Sequence, residues 1–283
     1  MKKNLQIYIH IPFCVKKCLY CDFPSWAGKE GQMQGYVDAL TKEIRKRGTE
    51  YTDQQVVSVF FGGGTPTTLT IPMLEQLMQA VFESWNIAED AEITTEANPG
   101  MLDGEMAAAL KKMGFNRLSM GVQAWQNRLL KELGRIHTIE VFRENFKAVR
   151  EAGFTNINTD LMFALPNQTM EDWQETVKNI VAMNPEHISA YSLIIEEGTP
   201  FYEVYDKHPE LLPTEEEERA MYYETKTFLA SKGYERYEIS NYAKKGYECR
   251  HNLSYWERVD YLGLGLGAAS LLGNVRKSNQ TEL

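Results

Sequence analysis

The chain has 283 residues, of which 43% are hydrophobic, and its 39 acidic and 30 basic side chains give a net charge of -9. A chain of this length buries one large core, with or without a smaller extension. The acidic balance argues against a phosphate backbone as the main partner, so we predict no nucleic-acid partner. No stretch approaches roughly 20 consecutive apolar residues, so we predict no transmembrane segment.

Short β-rich segments alternate with amphipathic helical segments along most of the chain. The predicted strands are 5–11, 56–61, 91–97, 117–122, 156–163 and 187–193, and the predicted helices are 33–47, 72–85, 103–113, 139–152 and 170–182. Such alternation indicates an α/β fold whose parallel sheet has right-handed crossovers. Six strands are too few for a closed eightfold barrel, so we expect an open, partial barrel.

Three cysteines lie close together near the start of the chain: Cys14, Cys18 and Cys21, in the run IHIPFCVKKCLYCDF. A closed zinc site or an ordinary cluster site uses four ligands, whereas three thiolates on a [4Fe–4S] cluster leave one iron open. The alternative is three reduced thiols, as part of a zinc knuckle or without a metal. This cysteine usage is typical of a reducing compartment, which predicts a cytoplasmic location.

Polar residues and glycines follow the predicted strands, at the edge where a parallel sheet binds its ligand. The second strand is followed by GGGTP at 62–66, whose glycines let the backbone approach a ligand closely. Glu96 ends the third strand, Gln123 follows the fourth, and Asp160 lies near the end of the fifth. One such carboxylate is more often a cap or a surface charge, but their convergence beside the cysteines predicts a single ligand site.

The spacing C-x3-C-x2-C with Tyr20 before the last cysteine, followed by GGGTP, resembles the radical S-adenosylmethionine (radical SAM) superfamily. The resemblance implies a partial (β/α)6 radical SAM barrel over residues 1–200, with three cysteines on a [4Fe–4S] cluster and SAM on its open iron. In that superfamily one electron from the cluster cleaves SAM to methionine and a 5′-deoxyadenosyl radical. The resemblance therefore also implies an electron donor such as flavodoxin or ferredoxin.

The segments YIHIPFC, EANPG, LSMGVQ, GRIHT, NTDLMFALPNQT and HISAYSL narrow the resemblance. They are similar to the branch that holds oxygen-independent coproporphyrinogen III dehydrogenase and the HemW-type heme chaperones. Carried over by motif, Tyr8 would touch SAM near the cluster and Tyr20 would lie against its adenine. Gly63, Gly64 and Thr65 would hold the methionine moiety. The remaining nucleoside and carboxylate contacts would come from Glu96, Gln123, Arg135 and Asp160.

Three features separate the two members of this branch. The dehydrogenase pattern has a further cysteine where this chain has Phe23, and it has an N-terminal arm where this chain has only 13 residues before Cys14. The run HNLSYW at 251–256 matches the HNxxYW motif that is associated with heme binding in the chaperones. The resemblance implies that His251 is an axial heme ligand; the alternative is a packed histidine beside core aromatic residues.

Together these features predict a radical SAM iron–sulfur protein of porphyrin metabolism that binds heme and delivers it to a recipient hemoprotein. No catalytic residue can be assigned with certainty from the sequence. If the protein is an enzyme, the alternative activity is oxidative decarboxylation of coproporphyrinogen III. A simple electron-transfer protein would explain the cysteines but not GGGTP or the residues at the strand ends.

Residues 201–283 are predicted to form a C-terminal extension that carries the HNxxYW motif. Relatives in this branch continue past the segment GLGLGAAS at 263–270, so we expect the extension to be short and truncated, with heme enclosure impaired. The acidic run 215–218 is predicted to form the first turn of a helix, where the macrodipole favours acids. Cys249 is predicted to be a lone buried thiol, with a second heme ligand as the alternative.

Overall fold

The computed structural model describes residues 3–283. The strands of this part of the chain, in chain order, are β1 (Lys3–Ile11), β2 (Phe13–Cys14), β3 (Trp26–Ala27), β4 (Gln54–Gly63), β5 (Ile87–Ala97), β6 (Arg117–Gln123), β7 (Ile157–Phe163), β8 (His187–Ser192), β9 (Glu235–Arg236), β10 (Asn241–Ala243), β11 (Tyr261–Leu264), β12 (Ala269–Leu272) and β13 (Val275–Ser278). The helices are α1 (Met33–Gly48), α2 (Ile71–Ser84), α3 (Gly104–Lys112), α4 (Asn127–Glu132), α5 (Ile139–Glu151), α6 (Met170–Ala182), α7 (Pro200–Tyr205), α8 (Glu215–Ser231) and α9 (Arg250–Trp256).

Eleven of the strands form one sheet in the order β13-β12-β11-β1-β4-β5-β6-β7-β8-β10-β9. The seven strands from β11 to β8 are all parallel, and the strands outside them are antiparallel. The edge strands β13 and β9 do not pair with each other in this sheet. The prediction of an α/β fold with an open, partial barrel is therefore confirmed.

The helices between the parallel strands follow from their apolar spacing and their caps. In α5 the buried residues Ile139, Phe142, Phe146 and Val149 recur every three or four positions, which places them on one face. Helix α6 begins with a capping box, in which Thr169 and the third residue of the helix satisfy each other's free backbone N–H groups. Helix α6 can thus begin sharply after its strand.

The six predicted strands all occur, and so do the five predicted helices. The acidic run 215–218 forms the first turn of α8, as predicted. The prediction missed α4, α7, α9 and the short strands β2, β3 and β9 to β13. Strands from residues after 200 extend both edges of the sheet, because β11 pairs with β1 and β10 pairs with β8. The division of the chain at residue 200 stays a prediction.

Strand β1 lies inside the sheet and is covered on both faces. Leu5, Ile7, Ile9 and Ile11 are fully buried in the main hydrophobic core beneath the helices. On the opposite face His10 is also buried, so this face looks into the interior of the partial barrel. No helix within residues 3–283 combines the length and the apolar character that crossing a membrane requires.

Candidate functional site

The three clustered cysteines lie on one loop whose base is closed by a short strand pair. Strand β2 ends at Cys14 and pairs with β3, and the Trp26 amide donates to the Pro12 carbonyl at 2.8 Å. Cys14, Cys18 and Cys21 are all free thiols and are all partly buried. The loop therefore holds three potential thiolate ligands on one short, anchored segment.

The free thiols of this loop favour the protonated form, and a bound metal would reverse this preference. Burial raises the pKa of the Cys14 thiol and of the Cys21 thiol, and the neighbouring cysteines raise both further. Within residues 3–283, no three metal-binding side chains are close enough to hold a single ion. Three free thiols spread along a loop fit a multi-iron cluster, whose ligands bind different iron atoms, better than a four-ligand zinc site.

A chain of polar contacts joins Cys14 to Cys18. The Arg135 guanidinium donates to Cys18 Sγ at 3.5 Å and to Asn98 Oδ1 at 2.7 Å. Asn98 in turn donates to Thr65 Oγ1 at 2.7 Å, and that hydroxyl lies 3.7 Å from Cys14 Sγ. The predicted residues Thr65 and Arg135 thus reach the cysteines. Asn98 was not predicted as a site residue, although it lies within the segment EANPG.

The glycine segment after β4 packs tightly against the end of β1. Gly63 has a φ of 109°, and a Cβ at this position would lie 2.3 Å from the His10 ring. A Cβ at Gly64 would lie 2.6 Å from the Phe13 carbonyl oxygen, and the Gly64 amide donates to Ile11. The sequence analysis assigned these glycines to close approach of a ligand. The structure shows that the packing of the protein itself already requires the absence of side chains here.

Glu96 on β5 and Asp160 on β7 both line the same cavity, on either side of β6, and burial raises the pKa of both carboxyl groups. Burial and the charge of Asp160 together raise the pKa of Glu96 to about 8, while a hydrogen bond from the Gly63 amide at 3.2 Å opposes the shift. Burial also raises the pKa of Asp160, which accepts hydrogen bonds from Ser119 and Asn158, both at 2.8 Å. In their ionised form these carboxylates can accept hydrogen bonds from an ammonium group or from ribose hydroxyls.

Tyr8 is oriented by a short relay. His10 Nε2 lies 2.8 Å from the Pro24 carbonyl, which can only accept, so this nitrogen carries the proton. Burial lowers the pKa of His10, and its other nitrogen, Nδ1, is therefore an acceptor for the Tyr8 hydroxyl at 3.0 Å. The Tyr8 oxygen keeps its lone pairs free, so it presents only an acceptor to a neighbouring ligand.

Two cavities lie side by side at this edge of the sheet. The outer cavity, about 560 Å³, is lined by Tyr8, His10, Phe23, Pro24, Gly63, Glu96, Tyr255, Tyr261, Gly267, Ala269, Leu271 and Arg276. The inner cavity, about 210 Å³, is lined by Tyr8, Phe60, Glu96, Arg117, Ser119, Asn158, Asp160, Ser189, Tyr191, Asn241, Cys249, His251, Asn252 and Tyr255. They share Tyr8, Glu96 and Tyr255, which form the boundary between them.

The predicted site residues divide among these surfaces. Thr65, Cys18 and Arg135 line a separate small cleft at the cysteine loop. Tyr20 and Gln123 line neither that cleft nor the two cavities. The Tyr20 ring packs 6.3 Å from the Phe201 ring, in a small apolar cluster next to α7. Gln123 has a φ of 71° at the end of β6.

His251 begins the HNxxYW motif on α9 and lies in the wall of the inner cavity. Its side chain is 3% exposed, and both ring nitrogens are occupied. Nδ1 lies 2.9 Å from Ser58 Oγ, and Nε2 lies 3.0 Å from the Tyr255 hydroxyl. Burial lowers the pKa of His251 to about 3, and the charge of Arg117 adds to this effect. The ring is therefore neutral, as a metal ligand must be, but an iron could reach Nε2 only if Tyr255 moved.

The start of α9 is fixed by a carboxylate that the sequence analysis did not identify. Glu92, buried on β5, accepts hydrogen bonds from the amides of Arg250 and His251 at 3.0 and 3.1 Å. It also accepts from Cys249 Sγ at 3.4 Å, and burial raises the pKa of this thiol to about 12. Cys249 is thus a buried, protonated thiol in this conformation, as the lone-thiol interpretation expects. An acidic residue that stabilises a helix start is usually found within the helix itself. Glu92 lies on β5, far from α9 in the sequence, so no local pattern predicts this contact.

Comparison with known proteins gives concordant results. The model of the radical SAM superfamily matches residues 8–180. The chain is 39% identical to heme chaperone HemW of Bacillus subtilis (strain 168), over 96% of this chain and 72% of that protein. It is 38% identical to heme chaperone HemW of Escherichia coli (strain K12), over 93% of this chain and 69% of that protein.

Among solved structures, the chain is similar to coproporphyrinogen III oxidase (HemN) from Escherichia coli, which is described as a radical SAM enzyme. The TM-score is 0.88 at 29% identity, and the match covers 99% of this chain and 68% of that chain. The fold and the sequence therefore indicate the same branch of proteins.

Proposed function

The chain belongs to the radical SAM superfamily and, within it, to the HemW family, and on this premise we propose that it binds heme and delivers it to a recipient hemoprotein. The observation that carries the proposal is the position of the HNxxYW helix. Helix α9 lines the inner cavity with His251, while Tyr255 also borders the outer cavity. A heme-binding segment beside the cofactor site of the fold fits a protein in which heme binding is coupled to the radical SAM cofactors.

The radical SAM family implies a [4Fe–4S] cluster and SAM as cofactors. We assign the cluster to Cys14, Cys18 and Cys21, because these free thiols share one anchored loop. When both cofactors are bound, the reduced cluster supplies an electron to SAM. The chain's own groups then position the cofactor: Tyr8 offers an acceptor oxygen, and Arg135 offers a guanidinium that already contacts Cys18.

We assign the ammonium group of SAM to Glu96, because a positive charge beside this buried carboxyl would oppose the rise in its pKa and favour the ionised form. The Gly63 amide already donates to Glu96, so it holds this carboxyl in place. Gly64 and Thr65 continue this backbone segment. We assign the nucleoside contacts to the remaining residues of the motif, which are Tyr20, Gln123 and Asp160.

Heme would approach from the outer cavity, whose volume lies within the usual range for ligand sites of about 300–1,000 Å³. Phe23 is 59% exposed and lines this cavity, which gives apolar surface for a macrocycle. In this proposal His251 becomes the axial ligand once the Tyr255 hydroxyl leaves Nε2. This order of events makes heme capture a conformational step of α9.

The cellular setting is part of the same proposal. Four free thiols fit a reducing compartment, so we place the protein in the cytoplasm with flavodoxin or ferredoxin as electron donor. We also propose that residues 1–200 form the radical SAM core and that residues 201–283 supply the heme-binding segment.

The second candidate is oxidative decarboxylation of coproporphyrinogen III, which the likeness to the solved oxidase structure favours. Against it stands Phe23 at the position of the fourth cysteine in the dehydrogenase pattern. This side chain is exposed and borders the outer cavity, so the position is open to a ligand but carries no thiol.

The decisive experiment measures both activities on one anaerobic sample of the reconstituted protein with SAM. Heme titration and coproporphyrinogen III turnover are followed for the wild type, for His251→Ala and for His208→Ala, a control histidine on the surface. We expect stoichiometric heme binding that weakens only in His251→Ala, with no protoporphyrinogen IX formed. Vinyl-group formation coupled to release of 5′-deoxyadenosine would instead establish the dehydrogenase.

A further inference from the structure

Arg117 is a buried cation that makes no hydrogen bond within residues 3–283, although acidic groups nearby attract its charge. It begins β6 and is only 2% exposed, and its side chain lines the inner cavity. Its Nε atom is buried without a hydrogen bond, and within residues 3–283 its guanidinium takes part in no ion pair or hydrogen bond. Buried arginines in proteins are almost always paired, because an unpaired buried charge is costly.

The acids nearest to Arg117 are already committed to other groups. Glu92 accepts from Cys249 and from the first amides of α9, and Asp160 accepts from Ser119 and Asn158. Both carboxylates interact with Arg117 only through space. The guanidinium donors therefore remain available to whatever enters the cavity.

The size of the inner cavity limits what can enter it. At about 210 Å³ it is smaller than the roughly 300–1,000 Å³ that encloses a whole drug-sized ligand. It adjoins the outer cavity of about 560 Å³ across Tyr8, Glu96 and Tyr255. A ligand whose body lies in the outer cavity could extend one polar substituent into the inner one.

We propose that Arg117 recognises a carboxylate on such a substituent, namely one propionate of the porphyrin, so that the inner cavity is a propionate pocket. A guanidinium binds a carboxylate through two parallel hydrogen bonds, and this geometry distinguishes the acid from its ester. Ser119, Asn158 and Asn241 provide further polar groups in the same cavity. The inference rests on the proposed heme function and adds to it the group that orients the macrocycle.

The test compares heme with heme dimethyl ester, whose propionates are blocked. Binding of both is measured for the wild type, for Arg117→Gln and for Arg143→Gln, an arginine on the exposed face of α5. We expect the wild type and Arg143→Gln to bind heme about tenfold to a hundredfold more tightly than the ester. Arg117→Gln should bind both ligands equally, at the level of the ester. Equal binding of heme and ester by the wild type would overturn the inference.

Two further measurements distinguish propionate recognition from a structural role of Arg117 and from a role in SAM binding. Arg117 donates no hydrogen bond but attracts Glu92 and Asp160 through space, so the unfolding temperature of ligand-free Arg117→Gln is measured together with its affinity for the ester. A variant that loses affinity for the ester as much as for heme would show a structural role. Arg117→Lys keeps the charge without the planar fork and should retain only part of the discrimination. If Arg117→Gln instead loses SAM binding and keeps the preference for heme over its ester, the carboxylate belongs to SAM and the propionate assignment is wrong.

Failure of the inference differs from failure of the proposed function. A wild type that binds neither heme nor its ester overturns both. A wild type that binds the two equally, with ligation dependent on His251, leaves the heme function intact and removes only the propionate pocket.

Discussion

The hydroxyl of Tyr255 lies 3.0 Å from Nε2 of His251, one helical turn away on α9. Residues at i and i+4 share a helix face, so the spacing of the motif HNxxYW itself brings these two side chains together. The nitrogen through which His251 would bind iron is thereby covered by another residue of the same motif. Heme ligation and this hydrogen bond are mutually exclusive.

The first prediction concerns this competition. Tyr255→Phe removes the hydroxyl that covers Nε2, and a hydrogen bond of this kind contributes about 1 kcal/mol, so heme should bind about fivefold more tightly. Spectroscopic heme titration measures the change, and Tyr223→Phe on the exposed face of α8 should leave affinity unaltered. Weaker binding in Tyr255→Phe would mean that the hydroxyl itself contacts the ligand and that our order of events is wrong.

The second prediction concerns the pH dependence of stability. The pKa of Glu96 is about 8 in the folded protein and near 4.3 in an unfolded chain, so between these values the folded state holds one more proton. The free energy of unfolding should therefore fall as pH rises from about 4.3 to 8. Glu96→Gln should remove this slope and be a few kcal/mol more stable at pH 8, since each pKa unit is worth about 1.4 kcal/mol.

Urea unfolding at a series of pH values measures this slope. Glu144→Gln, on the exposed face of α5, should keep the profile of the wild type. An unchanged slope in Glu96→Gln would show that the carboxyl of Glu96 is ionised at neutral pH in the folded protein.

The third prediction concerns the glycine segment. Gly63→Ala places a Cβ 2.3 Å from the His10 ring at a φ of 109°, so we expect a loss of more than about 2 kcal/mol in the free energy of unfolding. Gly104→Ala is the matched control, because Gly104 is the first residue of α3 and a Cβ there has no neighbour within 4 Å. A Gly63→Ala variant as stable as this control would show that His10 moves without cost.

The fourth prediction concerns the cluster. The triple variant Cys14→Ala, Cys18→Ala, Cys21→Ala should retain no iron after anaerobic reconstitution, whereas Cys249→Ala should retain as much as the wild type, because its thiol faces Glu92 instead of the loop. Iron and sulfide analysis measures both. Equal iron in the triple variant and the wild type would refute the assignment of the cluster.

The central strands were predictable because each carries its signal locally. Apolar runs of strand length separated by amphipathic helices identify β1 and β4 to β8 without reference to any distant residue. Strands β9 to β13 have only two to four residues each, and their existence depends on pairing with distant parts of the chain. Local sequence patterns contain no information of that kind.

Site residues were predictable where the fold class places them at the end of a strand. They were not predictable where their role depends on a contact with a distant residue. The strand-end rule brings Glu96 and Asp160 together near the cysteines, yet it gives no reason to select Asn98 or Glu92. Arg117 is the clearest failure, because an arginine at a strand start normally indicates solvent exposure. Its charge interacts with Cys249, which directly precedes α9 and lies more than 100 residues later in the chain.

Strand β1 obtains one of its two neighbouring strands, β11, only late in synthesis of the chain. Gln6 lies opposite Tyr261 in this pair, so the second neighbour of β1 is made about 250 residues after the strand itself. At a synthesis rate of about 5–20 residues per second, β1 waits roughly 13 to 50 seconds with one edge open. Variants that weaken β11 should therefore lose yield through aggregation of the open edge during synthesis, before any defect in ligand binding can be measured.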